Sequence, residues 1–254
     1  MKEIIKDKLR LIEREKNVRI LLACETGSRG WGFPSPDSDY DVRFLYVHPA
    51  DWYISVREKD DHITVPINDE LDITGWELKK SLQLMMKHNA ALMERLQSPI
   101  IYSEVQNFRE DYFSIAKANF SPVSVMHHYL SMSKSYFEKC TISERVKLKS
   151  LFYCIRTTLA CHWILQYKTL PPMELEKLLP VITDNKELVS HIRELVKIKS
   201  GANESYIHPT ELRINEYLEK TIASCEESVA SLPGNKYTAD HLDIFLKKYI
   251  YLFS

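Results

Sequence analysis

Three aspartates and one glycine-serine turn are the residues of this sequence best suited to chemistry. Asp39 and Asp41 stand two positions apart in the stretch SDYDVRFLYV, and Asp72 lies in the later stretch ELDITGW. Gly27-Ser28 precedes the aspartate pair, in a chain whose 254 residues include only six glycines. Carboxylates bind divalent cations, and glycine-rich turns bind phosphates. The combination predicts a site for a metal ion and a phosphorylated substrate.

The aspartate pair is predicted to lie on one face of a strand. Side chains two residues apart on a strand point the same way, so Asp39, Asp41 and Arg43 share a face. The opposite, core-facing side is expected to carry Tyr40, Val42 and Phe44. Two carboxylates on one face repel each other unless a cation lies between them. Mg²⁺ commonly binds one or two carboxylates together with substrate phosphates.

A third carboxylate would hold a second metal or take a proton from an attacking hydroxyl. Asp69, Glu70 and Asp72 are the candidates, and Asp72 is favoured because Leu71 and Ile73 flank it with core-type side chains. The alternative is that SPDSD forms only an Asx-type turn into a hairpin.

The turn at Gly27-Ser28 follows an apolar strand and leads toward a helix. Glycine permits close approach of a ligand to the backbone, and a helix N-terminus attracts phosphate. Ser28 can add a hydroxyl, and Arg29 either pairs with a triphosphate oxygen or is an ordinary surface residue.

A second group of candidates lies in the stretch ERVKLKSLFYCIRTTLACHWIL. Its spacing predicts a helix with Arg145, Lys149, Tyr153 and Arg156 on one face. If this face closes over the N-terminal cleft, Lys149 and Arg156 would meet nucleotide phosphates. The alternative is a solvated ridge of ion pairs.

Hydrophobic periodicity divides the chain into two predicted domains. Residues 1–119 combine helical and strand patterns, including a helix from residue 4 to 16, a strand over 18–24, an edge strand within 62–69 and a strand ended by Gly75. Residues 120–254 show long helical patterns, one of them over 143–167, with no strand pattern of comparable strength. We therefore predict an α+β domain followed by an all-helical domain.

Composition and charge argue against several classes of protein. The formal net charge of −1 provides no overall field for a nucleic acid or a membrane, although a local basic groove remains open. No apolar run approaches the length of a membrane-spanning helix. Five widely spaced cysteines argue against a disulfide framework or a zinc site and are typical of a reducing cytoplasm.

Gly27-Ser28, Ser38-Asp39-x-Asp41 and Asp72 together resemble the signature of the polymerase-β-type nucleotidyltransferase superfamily. The longer stretches GSRGWGFPSPDSDYDVRFLYV and DITGWELKKSL resemble more narrowly the YcgL-like family of predicted nucleotidyltransferases, an RNA-repair-associated branch of that group. The resemblance implies a small mixed sheet with helices, then a helical domain. It also implies Mg²⁺ as cofactor, with two ions, and a nucleoside triphosphate as donor.

The same resemblance implies roles for individual residues. Asp39 and Asp41 would bind metal, Asp72 would complete the carboxylate triad, and Gly27-Ser28 would hold the β- and γ-phosphates. A lysine and an arginine recur in the family near Lys149 and Arg156. These roles together predict attack of an acceptor hydroxyl on the α-phosphorus with release of pyrophosphate.

The resemblance implies the chemistry but does not define the acceptor. An RNA end is preferred by family analogy alone, and a protein hydroxyl or a small molecule is also possible. Two alternatives stay open: a protein AMP-transferase of the toxin–antitoxin type, and a nucleotide-binding module without turnover. The sequence does not predict the base, the number of nucleotides added or the oligomeric state.

Overall fold

A computed structural model describes residues 1–66, 70–237 and 239–253 of the chain. The strands are β1 (Arg19–Glu25), β2 (Tyr40–Val47), β3 (His62–Thr64), β4 (Leu71–Glu77), β5 (Ile101–Glu104), β6 (Arg145–Lys147) and β7 (Ile207–Pro209). The helices are α1 (Lys2–Lys16), α2 (Gly27–Trp31), α3 (Ala50–Tyr53), α4 (Leu78–Met86), α5 (Ala90–Gln97), α6 (Phe108–Ala118), α7 (Pro122–Thr141), α8 (Leu148–Tyr167), α9 (Leu175–Leu178), α10 (Lys186–Gly201), α11 (Leu212–Ser228) and α12 (Ala239–Tyr251).

Five strands form a mixed sheet in the order β3-β4-β2-β1-β5. β2 pairs with β4 in parallel, and the other three pairings are antiparallel. The chain is therefore α+β, as the sequence predicts. The strands that carry Asp41 and Asp72 are neighbours in the interior of the sheet.

One face of this sheet packs on α1. The β2 side chains Val42, Phe44 and Tyr46 are fully buried there, beside Ile5 and Leu9 of α1. The predicted core-facing side of β2 is confirmed for Val42 and Phe44. Because side chains alternate along a strand, the intervening residues of β2 lie on the opposite face.

The backbone separates into two compact units. The first comprises Met1–Gly30, Asp39–Asn119 and Lys236–Ser254, and the second comprises Trp31–Ser38 and Phe120–Asn235. These units differ from the predicted domains 1–119 and 120–254 in two places. The short segment Trp31–Ser38 groups with the helical unit, and the C-terminal helix α12 groups with the sheet. The domain boundaries themselves stay a prediction.

The second unit is built around α8, whose central side chains are almost all buried. Leu151, Phe152 and Ile155 lie at its core. The segment Trp31–Ser38, which we call the anchored loop, contributes Trp31 and Phe33 to the same core. Phe33 stacks on Phe152 with ring centroids 5.0 Å apart. Both aromatic side chains of the anchored loop are therefore core residues of the second unit.

Polar contacts also hold the anchored loop within the second unit. The buried Lys199 Nζ donates to Ser35 Oγ at 2.8 Å. Ser38 Oγ donates to a carboxylate oxygen of Glu204 at 2.9 Å, and the backbone N–H of Glu204 donates to Asp37 Oδ1 at 2.9 Å. The chain is thus tied down immediately before Asp39.

Several local predictions are wrong. Gly75 does not end its strand, because β4 continues to Glu77. A built Cβ at Gly75 would lie 2.2 Å from the ring of Phe44, so this glycine makes room for a core side chain. Arg145 lies on β6 and not on the predicted helix, which begins only at Leu148. β6 pairs with β7 in a two-stranded ribbon that the sequence did not predict.

The predicted edge strand within 62–69 is shorter than expected, since β3 ends at Thr64. Its last part, residues 67–69, lies outside the described residues, and so does the candidate carboxylate Asp69. Throughout the described part of the chain, none of the helices combines the length and the apolar character that crossing a membrane requires.

Candidate active site

Asp41 and Asp72 are direct neighbours across two parallel strands. The register of β2 and β4 pairs Asp41 with Asp72 and Arg43 with Thr74. Both carboxylates are partly exposed, at 31 % and 24 % of their side-chain surface. The two aspartates, 31 positions apart in sequence, thus reach one spot on the sheet face opposite α1.

Arg43 joins the two carboxylates. Its Nη2 donates to Asp41 Oδ1 at 3.0 Å and to Asp72 Oδ2 at 2.7 Å. Its Nη1 donates to the carbonyl oxygens of Val42, at 3.1 Å, and Asp72, at 3.0 Å. Only 17 % of the Arg43 side chain is exposed. The guanidinium group therefore neutralises part of the repulsion between the carboxylates.

Gly27 lies against the Asp41 carboxylate. It adopts φ +60°, the left-handed region that favours glycine, and a built Cβ would lie 2.0 Å from Asp41 Oδ2. The neighbouring Thr26 fixes the same strand, because its backbone N–H donates to the Asp41 carbonyl at 2.8 Å and its Oγ1 donates there at 3.1 Å. The glycine turn and the first residues of β2 are thus one packed structure.

The buried carboxylate of Glu25 holds the backbone at Asp41. Glu25, at the end of β1, accepts a hydrogen bond from the Asp41 N–H at 2.7 Å and another from the Tyr102 hydroxyl. Glu25 is 0 % exposed, and burial raises the pKa of its carboxyl, although the two hydrogen bonds partly oppose this. Glu25 therefore helps to fix the backbone at Asp41.

Arg29 and Asp39 lie at the exposed side of the turn. Asp39 is exposed and directly precedes β2, which begins at Tyr40. The prediction that Asp39 lies on this strand is therefore wrong. Arg29 Nε donates to the Asp39 carbonyl at 3.1 Å, and the guanidinium carbon lies 3.9 Å from the centre of the Tyr40 ring. Arg29 thus braces the segment between the turn and the strand.

Lys149 and Arg156 belong to the second unit. Lys149 Nζ donates to Glu204 Oε2 at 2.5 Å. Arg156 is buried, and its guanidinium carbon lies 4.2 Å from the centre of the Trp31 ring. Both cations thus have structural partners within their own unit, and their assignment to nucleotide binding stays a prediction.

The chemistry of the donor set fits a divalent metal ion. Asp41 and Asp72 already direct carboxylate oxygens at one cationic group, the Arg43 guanidinium. Mg²⁺ takes oxygen ligands and commonly needs only one or two protein carboxylates when substrate phosphates complete its shell. Among the described residues, no group of three or more histidine, cysteine, aspartate or glutamate side chains is arranged to hold a metal ion.

Sequence reasoning missed the residues that support the aspartates. Glu25 is the one charged residue in the apolar run from residue 20 to 25, and a charge at that position was an available signal. Tyr102, which donates to Glu25, comes from a distant part of the chain. Arg95 is a further buried cation near Arg43. Arg95 is 6 % exposed, and burial lowers the pKa of its guanidinium to about 9, with a further lowering by the charge of Arg43. Its guanidinium carbon lies 3.3 Å from the centre of the Trp76 ring.

Comparisons with known proteins agree with these features. Residues 1–248 match the model of a family described as the RNA repair pathway DNA polymerase beta family. The chain is 38 % identical over 236 residues to the uncharacterized protein YcgL of Bacillus subtilis (strain 168). That alignment covers 93 % of this chain and 91 % of the relative.

Two solved structures show weaker likeness. A nucleotidyltransferase-like protein from Exiguobacterium sibiricum 255-15 is 11 % identical with a TM-score of 0.33, covering 89 % of this chain and 75 % of the other. The spectinomycin adenyltransferase AAD(9) from Enterococcus faecialis, solved with ATP and spectinomycin, is 14 % identical with a TM-score of 0.45, covering 88 % and 98 %.

Both TM-scores are below 0.5, so the assignment depends on the family match and the curated relative. The match spans nearly the whole chain and includes the glycine turn, the aspartate pair and Asp72. The chain therefore belongs to the RNA repair pathway DNA polymerase beta family.

Proposed function

We propose that the protein is a metal-dependent nucleotidyltransferase that moves a nucleoside monophosphate from a triphosphate to an acceptor hydroxyl and releases pyrophosphate. The observation that carries this proposal is the in-register pairing of Asp41 and Asp72, with both carboxylates directed at one cation. Membership of a polymerase-β family supports the same class of reaction. A cytoplasmic location stays a prediction, in keeping with five free cysteines, all of them buried.

Asp39, Asp41 and Asp72 would hold Mg²⁺, with two ions expected from the resemblance. When bound, Mg²⁺ neutralises phosphate charge and polarises the attacking hydroxyl. Asp72, on the interior strand β4, is the residue we assign to receive the hydroxyl proton. Its carboxylate keeps a fixed orientation because Arg43 donates to it.

The glycine turn would bind the β- and γ-phosphates. Gly27 lies against the Asp41 carboxylate, so a triphosphate held at this turn would lie beside the metal ligands. Ser28 would add its hydroxyl, and Arg29 would add positive charge at the exposed side. Lys149 and Arg156 would contribute phosphate contacts, and the recurrence of a lysine and an arginine near these positions in the family supports this assignment.

An RNA end is the acceptor we favour, because the description of the family names an RNA repair pathway.

The test incubates the protein with Mg²⁺ and each nucleoside triphosphate, labelled at the α-phosphate, together with either short RNA or cell extract. Label on RNA together with pyrophosphate release supports the proposal. Label on protein alone indicates AMP transfer to protein. Triphosphate binding without pyrophosphate release under every condition indicates a binding module and contradicts the proposal.

Asp41→Asn is the matched test of the site. It removes one charge from the carboxylate pair, and we expect transfer to fall by at least about a hundredfold, since metal-bound phosphoryl transfer depends on charge neutralisation. Asp51→Asn is the control, because Asp51 is an exposed residue of α3. Equal activity of the two variants would contradict the assignment of Asp41.

A further inference from the structure

Arg43 lies between the two carboxylates that we propose as metal ligands. Its Nη2 donates to a carboxylate oxygen of both Asp41 and Asp72, and its Nη1 donates to the carbonyl oxygens of Val42 and Asp72. Four hydrogen bonds thus hold one guanidinium group between two carboxylates. Arginine remains charged at all ordinary pH values, so this group is a permanent cation within the site.

The position of Arg43 follows from the sheet. Arg43 lies two residues after Asp41 on β2, so the two side chains share a face, and the parallel register brings Asp72 next to both. A planar guanidinium group can donate to two carboxylates at once. Arg43 thus offsets a repulsion that would otherwise destabilise the sheet at this point.

The same oxygens would serve as ligands of a divalent cation. A divalent cation that binds Asp41 Oδ1 or Asp72 Oδ2 replaces a hydrogen bond from Arg43. A cation that binds the other carboxylate oxygen of either aspartate is repelled by the nearby guanidinium charge. Either geometry makes the free energy of metal binding less favourable. The triphosphate carries negative charge that would offset the guanidinium.

Arg95 is a second, buried cation near Arg43, and its Nη1 has no hydrogen-bond partner among the described residues. The charges of Arg95 and Arg43 therefore act on each other beside the site.

We infer that Arg43 is a resident counter-ion which competes with divalent metal for Asp41 and Asp72, so that metal binds weakly without a triphosphate. This inference depends on the proposed function, because it assumes that the two carboxylates are metal ligands. It assigns Arg43 a positioning role that sets metal affinity.

The test measures binding of Mn²⁺ alone to the full-length protein, by the loss of the free-ion signal in electron paramagnetic resonance. In Arg43→Gln we expect the Kd for Mn²⁺ to fall on the order of tenfold, since a nearby positive charge is removed. Arg43→Lys keeps the charge but lacks the second donor nitrogen, so its Kd should lie between the two. Arg10→Gln is the control, because Arg10 pairs with Asp7 on the exposed surface of α1 and the formal charge change is the same.

The result that overturns the inference is an unchanged or higher Kd in a folded Arg43→Gln protein. If that variant does not fold, the Arg43→Lys titration decides, and an affinity equal to or weaker than wild type overturns the inference. Absence of Mn²⁺ binding in both wild type and variant also overturns it. Failure of the proposed function can be distinguished from failure of this inference. If the proposed function is wrong, no pyrophosphate is released with Mg²⁺ and triphosphate, whatever the effect of the Arg43 substitution on the Kd for Mn²⁺.

Discussion

Gly27 and Asp41 approach so closely that no side chain fits between them. A Cβ built on Gly27 would lie 2.0 Å from Asp41 Oδ2, and the Gly27 backbone has φ +60°. The glycine turn therefore has two roles, since it adopts a left-handed conformation and it leaves space for a carboxylate. Through this close approach, the turn that is predicted to bind phosphate directly contacts Asp41, a predicted metal ligand.

Gly27→Ala should disrupt both roles. We expect the free energy of unfolding to fall by more than the roughly 1–2 kcal/mol that a left-handed conformation costs an L-residue, because the methyl group also displaces Asp41. Urea denaturation measures the loss, and Mn²⁺ titration of the folded fraction measures the effect on Asp41.

Gly32→Ala is the control that separates backbone strain from steric conflict. Gly32 has φ +91°, and a Cβ there would meet no atom within 4 Å. We expect this variant to lose stability without losing metal affinity. Equal effects of the two substitutions on metal binding would show that the contact with Asp41 is unimportant.

Asp39→Asn should separate function from folding. Asp39 is exposed and precedes β2, so its substitution should change the free energy of unfolding by less than about 0.5 kcal/mol. We expect Mg²⁺-dependent triphosphate binding, measured by calorimetry, to be abolished. An Asp39→Asn protein that unfolds would instead support a purely structural turn, and one that binds normally would remove Asp39 from the metal ligands.

Local sequence patterns were sufficient for much of the fold. The apolar run in β1 and the alternation in β2 predict two strands, and the neighbours of Asp41 and Asp72 in the sequence indicate that both aspartates lie on strands. These signals are local, because burial and alternation can be read from a few consecutive residues.

The remaining features depend on pairing between distant segments. The link between Asp41 and Asp72 through Arg43 required the register of β2 and β4, which no local pattern specifies. The ribbon of β6 and β7 has strands of three residues each, too short to show alternation. The placement of Trp31–Ser38 in the helical unit follows from contacts with Phe152 and Glu204, far along the chain.

Glu25→Gln should change the pH dependence of stability. Burial raises the pKa of Glu25 above its ordinary value of 4.5, so between 4.5 and the raised value the folded protein binds more protons than the unfolded chain. Stability contributed by this group therefore falls as pH rises through that window. Glutamine can still accept from the Asp41 N–H and can donate to the Tyr102 hydroxyl.

Urea denaturation between about pH 4.5 and pH 8 tests this expectation. The difference in free energy of unfolding, variant minus wild type, should increase as pH rises. Glu15→Gln, an exposed substitution on α1, is the control for the removal of one carboxylate. A constant difference across the pH range would contradict a raised pKa at Glu25.

Ser38→Ala tests whether the anchored loop positions the aspartate that follows it. Ser38 Oγ accepts from the Ser35 N–H at 2.9 Å and donates to Glu204 Oε1 at 2.9 Å, and the residue is 5 % exposed. The substitution leaves a buried N–H without this acceptor, which costs about 1–3 kcal/mol. Because Asp39 is the next residue, looser anchoring should also weaken Mn²⁺ binding.

Ser205→Ala, a substitution at an exposed residue of the same unit, is the control and should change neither the free energy of unfolding nor the Kd for Mn²⁺. Reduced stability with unchanged metal affinity would show that the loop holds the helical unit together but does not position Asp39.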